Sequence, residues 1–306
     1  MKNVLVIGGS YFVGRVFVEE LLQRSECSIH VVNRGNRPLK LEGVNEIVCD
    51  RHDAAKLARV VPPLEWDAVV DFCAYSPDDI PTVLQSLQGR VQRYIYISTA
   101  TVHQNSLVLP MTEDTPVLTT APPGPAGDYA YKKRLGELRL KGLCEPSGIT
   151  YVCLRPSFIY GKYNYAPRES YFFGLMARGE PVVLPALPQA LFSTVSVWDV
   201  ARICIACLWS EAVRNNSYIV SAGELLSYDR LVKTLEEIAS IKLKVSRQPV
   251  RVIEVRGIPL PFPLSEHLVY SGKRLQQALG YEYLPFAEGM RRTYEWFVKS
   301  TPHAPA

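Results

Sequence analysis

Near its start the chain reads "VLVIGGSYFVGR", an apolar run that empties into a glycine pair and then into an amphipathic segment. No other stretch constrains the fold as strongly. A strand over 3–7 has to end at Gly8 and Gly9, and a helix has to begin near Phe12. Gly8 permits the tight turn, and Gly14 lets the helix lie close to the sheet. The start of that helix offers free N–H groups and a positive dipole end to an anion. A strand, glycine turn and helix in this order open a βαβ unit, whose strands run parallel.

The first half of the chain repeats the pattern. Apolar runs predict strands at 3–7 ("NVLVI"), 28–32 ("SIHVV"), 46–48 ("EIV"), 68–72 ("AVVDF"), 93–97 ("RYIYI") and 150–154 ("TYVCL"). Amphipathic stretches predict helices near 13–24, 53–60, 77–88 and 129–145. Runs that are apolar throughout belong to strands buried on both faces. The expected class is therefore α/β, a doubly wound, Rossmann-like parallel sheet. In "SPDD", Ser76 is expected to cap a helix, with Pro77 at its first position and Asp79 closing a capping box. Past about residue 158, strands thin out and prolines and aromatics cluster. The expected division is a dinucleotide-type domain over 1–158, with returns near 191–222, and a smaller lobe from 159–190 and 223–306.

Composition narrows the function. A net charge of +4 over 306 residues argues against a dedicated nucleic-acid surface and leaves a local basic patch open. No apolar run is long enough to cross a membrane. The opening "MKNVLVIGG" does not read as a signal peptide, because its apolar run is short and enters a turn. Seven scattered cysteines read as reduced residues of a cytoplasmic protein. Cys204 and Cys207 form a CxxC, but it sits inside the apolar "VARICIACLW" and reads as core packing, with no metal site.

The glycine turn predicts a dinucleotide site built on Gly8, Ser10, Tyr11, Phe12, Val13 and Gly14. Tyr11 takes the place of a middle glycine; its N–H can still face a phosphate while its ring points outward. The end of the second strand decides the ribose end. An acid there would bond the ribose hydroxyls of NAD. The chain instead has "VVNRGNR", with Asn33, Arg34 and Arg37, and with Arg15 after the last fingerprint glycine. Guanidinium groups suit a 2′-phosphate, so NADP is expected, with NAD as the other possibility. Asp50 and Arg51 follow the third strand and are expected to frame the adenine.

"DYAYKKRLGE" carries Tyr129 and Lys133, four apart and so on one helix face, behind an expected N-cap at Asp128. No other tyrosine of the seventeen has a lysine at that spacing. A nearby ammonium favours phenolate and would make Tyr129 a usable acid/base. "YIYISTATVH" ends the fifth strand, where hydroxyls of Ser98, Thr99 and Thr101 face the ligand crevice of such a sheet.

These residues resemble the extended short-chain dehydrogenase/reductases, the NAD-dependent epimerase/dehydratase family. "GGSYFVG" is similar to that family's GGxGFIG, "ISTATVH" to S-S-[ST]-x-x-V-Y, "YAYKK" to Y-x-x-x-K and "LRPSFIYG" to L-R-x-x-x-V-Y-G. "VSVWDVA" and "YIVSAGELLSYDRL" resemble two later stretches. The resemblance implies that Thr99 is the catalytic hydroxyl beside Tyr129 and Lys133, and that Ala74, Ser98 and Pro156 join the cofactor set. It implies a substrate among sugar nucleotides or related small molecules, met by Thr101, His103, Tyr160 and Arg168. It also implies a homodimer.

The departures point to an atypical member. Dehydratases carry Asp-Glu where this chain has Ala100 and Thr101. Epimerases carry an arginine for the diphosphate where this chain has Phe192, and a tyrosine where it has His103. Tyr11 resembles a subgroup that includes reductases and plant chloroplast proteins that bind stem-loop RNA. The expectation is an epimerase-like oxidoreductase, with a carbonyl reductase, or a non-catalytic NAD(P)- or RNA-binding protein, as alternatives.

Overall fold

A computed structural model describes residues 1–24, 27–187 and 190–300. The apolar runs become β1 (Lys2–Ile7), β2 (Cys27–Asn33), β3 (Val44–Val48), β4 (Ala68–Asp71), β5 (Arg93–Ile97) and β6 (Thr150–Pro156). Between them lie α1 (Phe12–Arg24), α2 (Ala54–Val60), α3 (Asp79–Ser86) and α4 (Pro125–Ser147). The second half supplies β7 (Phe158–Tyr160), α5 (Glu169–Arg178), β8 (Val182–Pro185), β9 (Phe192–Ser196), α6 (Val197–Cys207) and β10 (Asn216–Val220). It ends with β11 (Leu225–Leu226), α7 (Tyr228–Ala239), β12 (Val245–Gln248), α8 (Val250–Val255), α9 (Lys273–Leu279) and α10 (Phe286–Ser300).

Seven strands form one parallel sheet in the order β10-β6-β5-β4-β1-β2-β3. The strand order reverses at β1, which pairs with both β2 and β4. A ligand crevice is expected outside the carboxyl ends at that point. The two faces of β1 explain why its run is apolar throughout. Val4 and Val6 pack with α1 and α6, while Leu5 and Ile7 pack with α2, α3 and α4. The chain is thus a three-layer, doubly wound α/β structure. Cys204 and Cys207 are fully buried in the α1–α6 layer, as core packing requires.

Residues 197–220 return to this sheet through α6 and β10, whereas β9 pairs with β7 and β11 in a separate three-stranded sheet. A second core of Phe172, Phe173, Leu231, Phe262, Phe286 and Met290 gathers α5, α7 and α10 beside it. Phe192 lies in this core, stacked on Phe262 with ring centroids 4.3 Å apart. Among the described residues no helix is long and apolar enough to cross a membrane, and no acidic, His or Cys cluster could hold a metal.

Two helix starts differ from expectation. α3 begins at Asp79, because the Asp79 carboxylate accepts from the N–H groups of Tyr75 (2.7 Å) and Ser76 (2.9 Å) and fixes that bend outside the helix. Asp78 is the cap residue, with no side-chain cap bond, while the Asp79 bond to the Ser76 N–H is the acid half of the expected capping box. α4 begins at Pro125, after Gly124 at φ +89°, so Asp128 falls inside the first turn and pairs with Lys132.

Candidate active site

A cavity of about 690 Å³ runs along the carboxyl ends of β1, β2, β4, β5 and β6. One end is the glycine turn. Gly8 has φ +85°, and a Cβ on Gly14 would stand 2.3 Å from the Gly8 carbonyl oxygen, so turn and helix meet closer than any side chain allows. Gly8, Gly14 and Ser10 through Val13 line the cavity, and the first turn of α1 carries no acid to oppose a phosphate. This cradle fits the pyrophosphate of a dinucleotide.

The Tyr11 ring does point away from the turn. It lies under the Arg37 guanidinium at 4.1 Å and stacks on Tyr165 of the second lobe at 6.0 Å. Tyr165 also meets Phe12 edge-on. The residue that stands for the missing glycine thus closes the cavity wall between the lobes.

At the far end, Arg34 lines the cavity and makes no ion pair or hydrogen bond among the described residues. Asp50 lines it too, its carboxyl held below the usual range by the His52 N–H and, more weakly, by Arg34. Asn33 lines the wall, but its side chain is engaged. It donates to Glu46 at 2.7 Å and accepts from the Gly35 N–H at 2.7 Å.

Arg51 also reaches the cavity wall, yet its guanidinium clamps Asp71 through two bonds of 2.7 and 2.9 Å and donates to the Asp79 carbonyl. Tyr94 adds a bond of 2.6 Å to Asp71. Burial works against the Asp71 charge, and Arg51 overcomes it, so the carboxyl stays below its ordinary range. The side chain expected to frame an adenine is spent on a buried ion pair.

Tyr129 and Lys133 share one face of α4 and both line the cavity. The Lys133 Nζ donates to the carbonyls of Ala74 (2.7 Å) and Ile97 (2.8 Å), and lies 5.8 Å from the Tyr129 ring centre. Burial brings the ammonium down to about 8. The Tyr129 phenol is pushed up to about 12, first by desolvation and then by Tyr165, with Arg168 opposing. The expected lowering is therefore not present, because desolvation dominates at the phenol. Thr99 lines the same cavity, its hydroxyl 2.9 Å from that of Thr101 and accepting the Thr101 N–H. Ser98, Pro156 and Arg168 complete the expected residues on the wall.

Five expected residues lie off it, among them Arg37, which sits over the Tyr11 ring. Arg15 pairs with Glu19 at 3.0 Å and stacks over Tyr163. Ala74 contributes only the carbonyl that holds Lys133. His103 is buried between the Thr115 carbonyl and Arg155. Tyr160 is buried edge-on against Phe286. Conversely, Cys73, Tyr75, Tyr165 and Tyr270 line the cavity without having been singled out. Tyr75 follows the carboxyl end of β4, and the strand-end rule that marks Ser98 applies equally to it.

The fold and the cavity together define a doubly wound α/β protein with a tyrosine–lysine pair in the crevice at the carboxyl ends of its strands. Residues 81–221 match the model of the NAD dependent epimerase/dehydratase family, the family to which the motifs pointed. The UDP-glucose 4-epimerase of Thermotoga maritima superposes with a TM-score of 0.79 at 20% identity, covering 97% of this chain and 99% of that one. That of Thermus thermophilus, solved with NAD, gives 0.74 at 23% identity, covering 98% and 100%. These likenesses show the fold.

Among curated relatives, the chloroplast stem-loop binding protein of 41 kDa b from Arabidopsis thaliana is 24% identical over 246 residues. That region is 76% of this chain and 62% of the plant protein. The UDP-glucose 4-epimerase of Vibrio cholerae is 24% identical over 257 residues, 76% of this chain and 75% of that protein.

Proposed function

We propose that the chain is an NADP-preferring oxidoreductase, acting on a hydroxyl or carbonyl group of a small molecule in the manner of the epimerases it resembles. One observation carries this reading: the glycine turn and the Tyr129–Lys133 pair line the same cavity. The turn and Arg34 would hold the cofactor, which when bound supplies a hydride donor or acceptor. Tyr129 gives a proton to the substrate oxygen or takes one from it. The Thr99 hydroxyl orients that oxygen. The Lys133 ammonium, fixed by two carbonyls, lies on the cavity wall beside the tyrosine. Epimerisation and reduction share these steps and differ in whether the oxidised substrate is reduced again in place.

The preference for NADP rests on Arg34, an uncommitted guanidinium at the ribose end, and on an asparagine where NAD would want an acid. In fluorescence titrations NADPH is expected to bind at least about tenfold more tightly than NADH, and Arg34→Glu to reverse the order. Equal affinities in the wild type would remove Arg34 from the account.

A further inference from the structure

Among the described residues, Arg168 is the one cation at the Tyr129 end of the cavity that the reaction above leaves without a task. It stands just before α5, and its Nη1 donates to the Ile159 carbonyl at 2.7 Å. Its guanidinium lies 5.7 Å from the centre of the Phe158 ring. No carboxylate among the described residues forms an ion pair with it. The adjacent Glu169 is committed elsewhere: its buried carboxylate accepts the Gly161 N–H at 2.9 Å and faces the Asn164 amide. Desolvation lowers the Arg168 pKa, the sign of a cation kept in a poor solvent. A guanidinium in that position is costly until a ligand brings the opposite charge. Its field reaches Tyr129, where it favours the phenolate.

The other cations on the wall are committed or remote. Arg51 is paired with Asp71, and Lys133 with two carbonyls. Arg34 follows β2, beyond β1 and β4 from the Tyr129 end. Apart from the committed Glu169, Arg168 neighbours the Phe158 ring, the Ile159 carbonyl and the phenols of Tyr165 and Tyr129. The Ser157 hydroxyl on the same wall is buried without a hydrogen-bond partner. A nucleoside diphosphate would bring at least two charges and a polar sugar to one cation and a set of rings.

Taking Tyr129 as the acid/base, as the preceding reading has it, we propose that the substrate is a monoanion, a hydroxy- or oxo-carboxylate with an apolar body. Its carboxylate is held by the Arg168 fork, and its reacting oxygen lies at Tyr129 and Thr99. A planar guanidinium matches a carboxylate bidentately, which a lysine cannot do.

The test is calorimetric titration of protein loaded with oxidised NADP, so that an oxo group is not consumed. Phenylpyruvate and uridine diphosphate are the two probes. Phenylpyruvate is expected to bind more tightly than uridine diphosphate. Arg168→Gln is expected to weaken phenylpyruvate by at least about tenfold, and Arg168→Lys by less, with cofactor affinity unchanged in both. Tighter binding of uridine diphosphate, no binding of phenylpyruvate, or equal phenylpyruvate affinity in wild type and Arg168→Gln would overturn the proposal. Should Arg168→Gln not fold, the order of the two probes on the wild type and the Arg168→Lys comparison decide alone. Failure of the underlying reading is seen separately, as no binding of the cofactor itself or as turnover retained in Tyr129→Phe.

Discussion

Tyr129→Phe is expected to lower turnover by about 10²–10⁴-fold while leaving NADPH affinity within a few-fold. The substitution removes one hydroxyl from a side chain that is 40% exposed and faces the cavity, so folding has little to lose. What it removes is the hydroxyl to which the proposed mechanism assigns proton exchange with the substrate oxygen. Lys133 cannot substitute for it, being 2% exposed and bonded to the Ala74 and Ile97 carbonyls. Steady-state rates with an active carbonyl or hydroxyl compound, beside a fluorescence titration with NADPH, separate the two effects. Activity retained in the variant would remove Tyr129 from the mechanism.

The second large effect concerns stability. Arg51→Ala leaves the Asp71 carboxylate, which is 0% exposed, without its counter-charge, and is expected to cost about 3–5 kcal/mol of folding free energy. Urea unfolding measures it. The folded pKa of Asp71 is held below the unfolded one, so the pair's contribution is present at neutral pH and is lost as pH falls through the carboxylate range. The stability gap between wild type and variant should therefore narrow in acid. An unchanged unfolding midpoint together with a lost affinity for NADPH would instead mean that Arg51 serves the cofactor and not the fold.

These two residues show what a sequence makes readable. The central strands of the main sheet were legible because they are buried on both faces, which leaves an uninterrupted apolar run such as "RYIYI" at β5, whereas the edge strand β3 has no fully buried residue. The glycine turn was legible because its constraint is local: Gly14 abuts Gly8, six residues away. The Tyr129–Lys133 pair was legible because four residues on a helix fix one face. Arg51 was misread because its partner Asp71 lies on another strand, and nothing near Arg51 announces it.

Arg15 was misread for a similar reason, since Glu19 and Tyr163 hold a guanidinium that the turn's sequence offers to a phosphate. Tyr11 was half legible. That its ring leaves the turn follows from the local backbone, but its seat between Arg37 and Tyr165 depends on a contact between lobes. The second lobe was the least legible part. Its small sheets pair short strands such as β9 and β7 across long separations, and its aromatic segments serve both core and cavity.

The claim that joins these parts is that the glycine turn and Tyr129 are two ends of one cofactor site. Calorimetric titration of NADPH into the wild type and into Gly14→Ala, each checked for folding by circular dichroism, tests it most directly. The account predicts one-to-one binding to the wild type and a loss of about 100-fold or more in Gly14→Ala, because the added Cβ must push turn and helix apart. Equal binding to both proteins, or no binding of NADPH or NADH to the wild type, would contradict it.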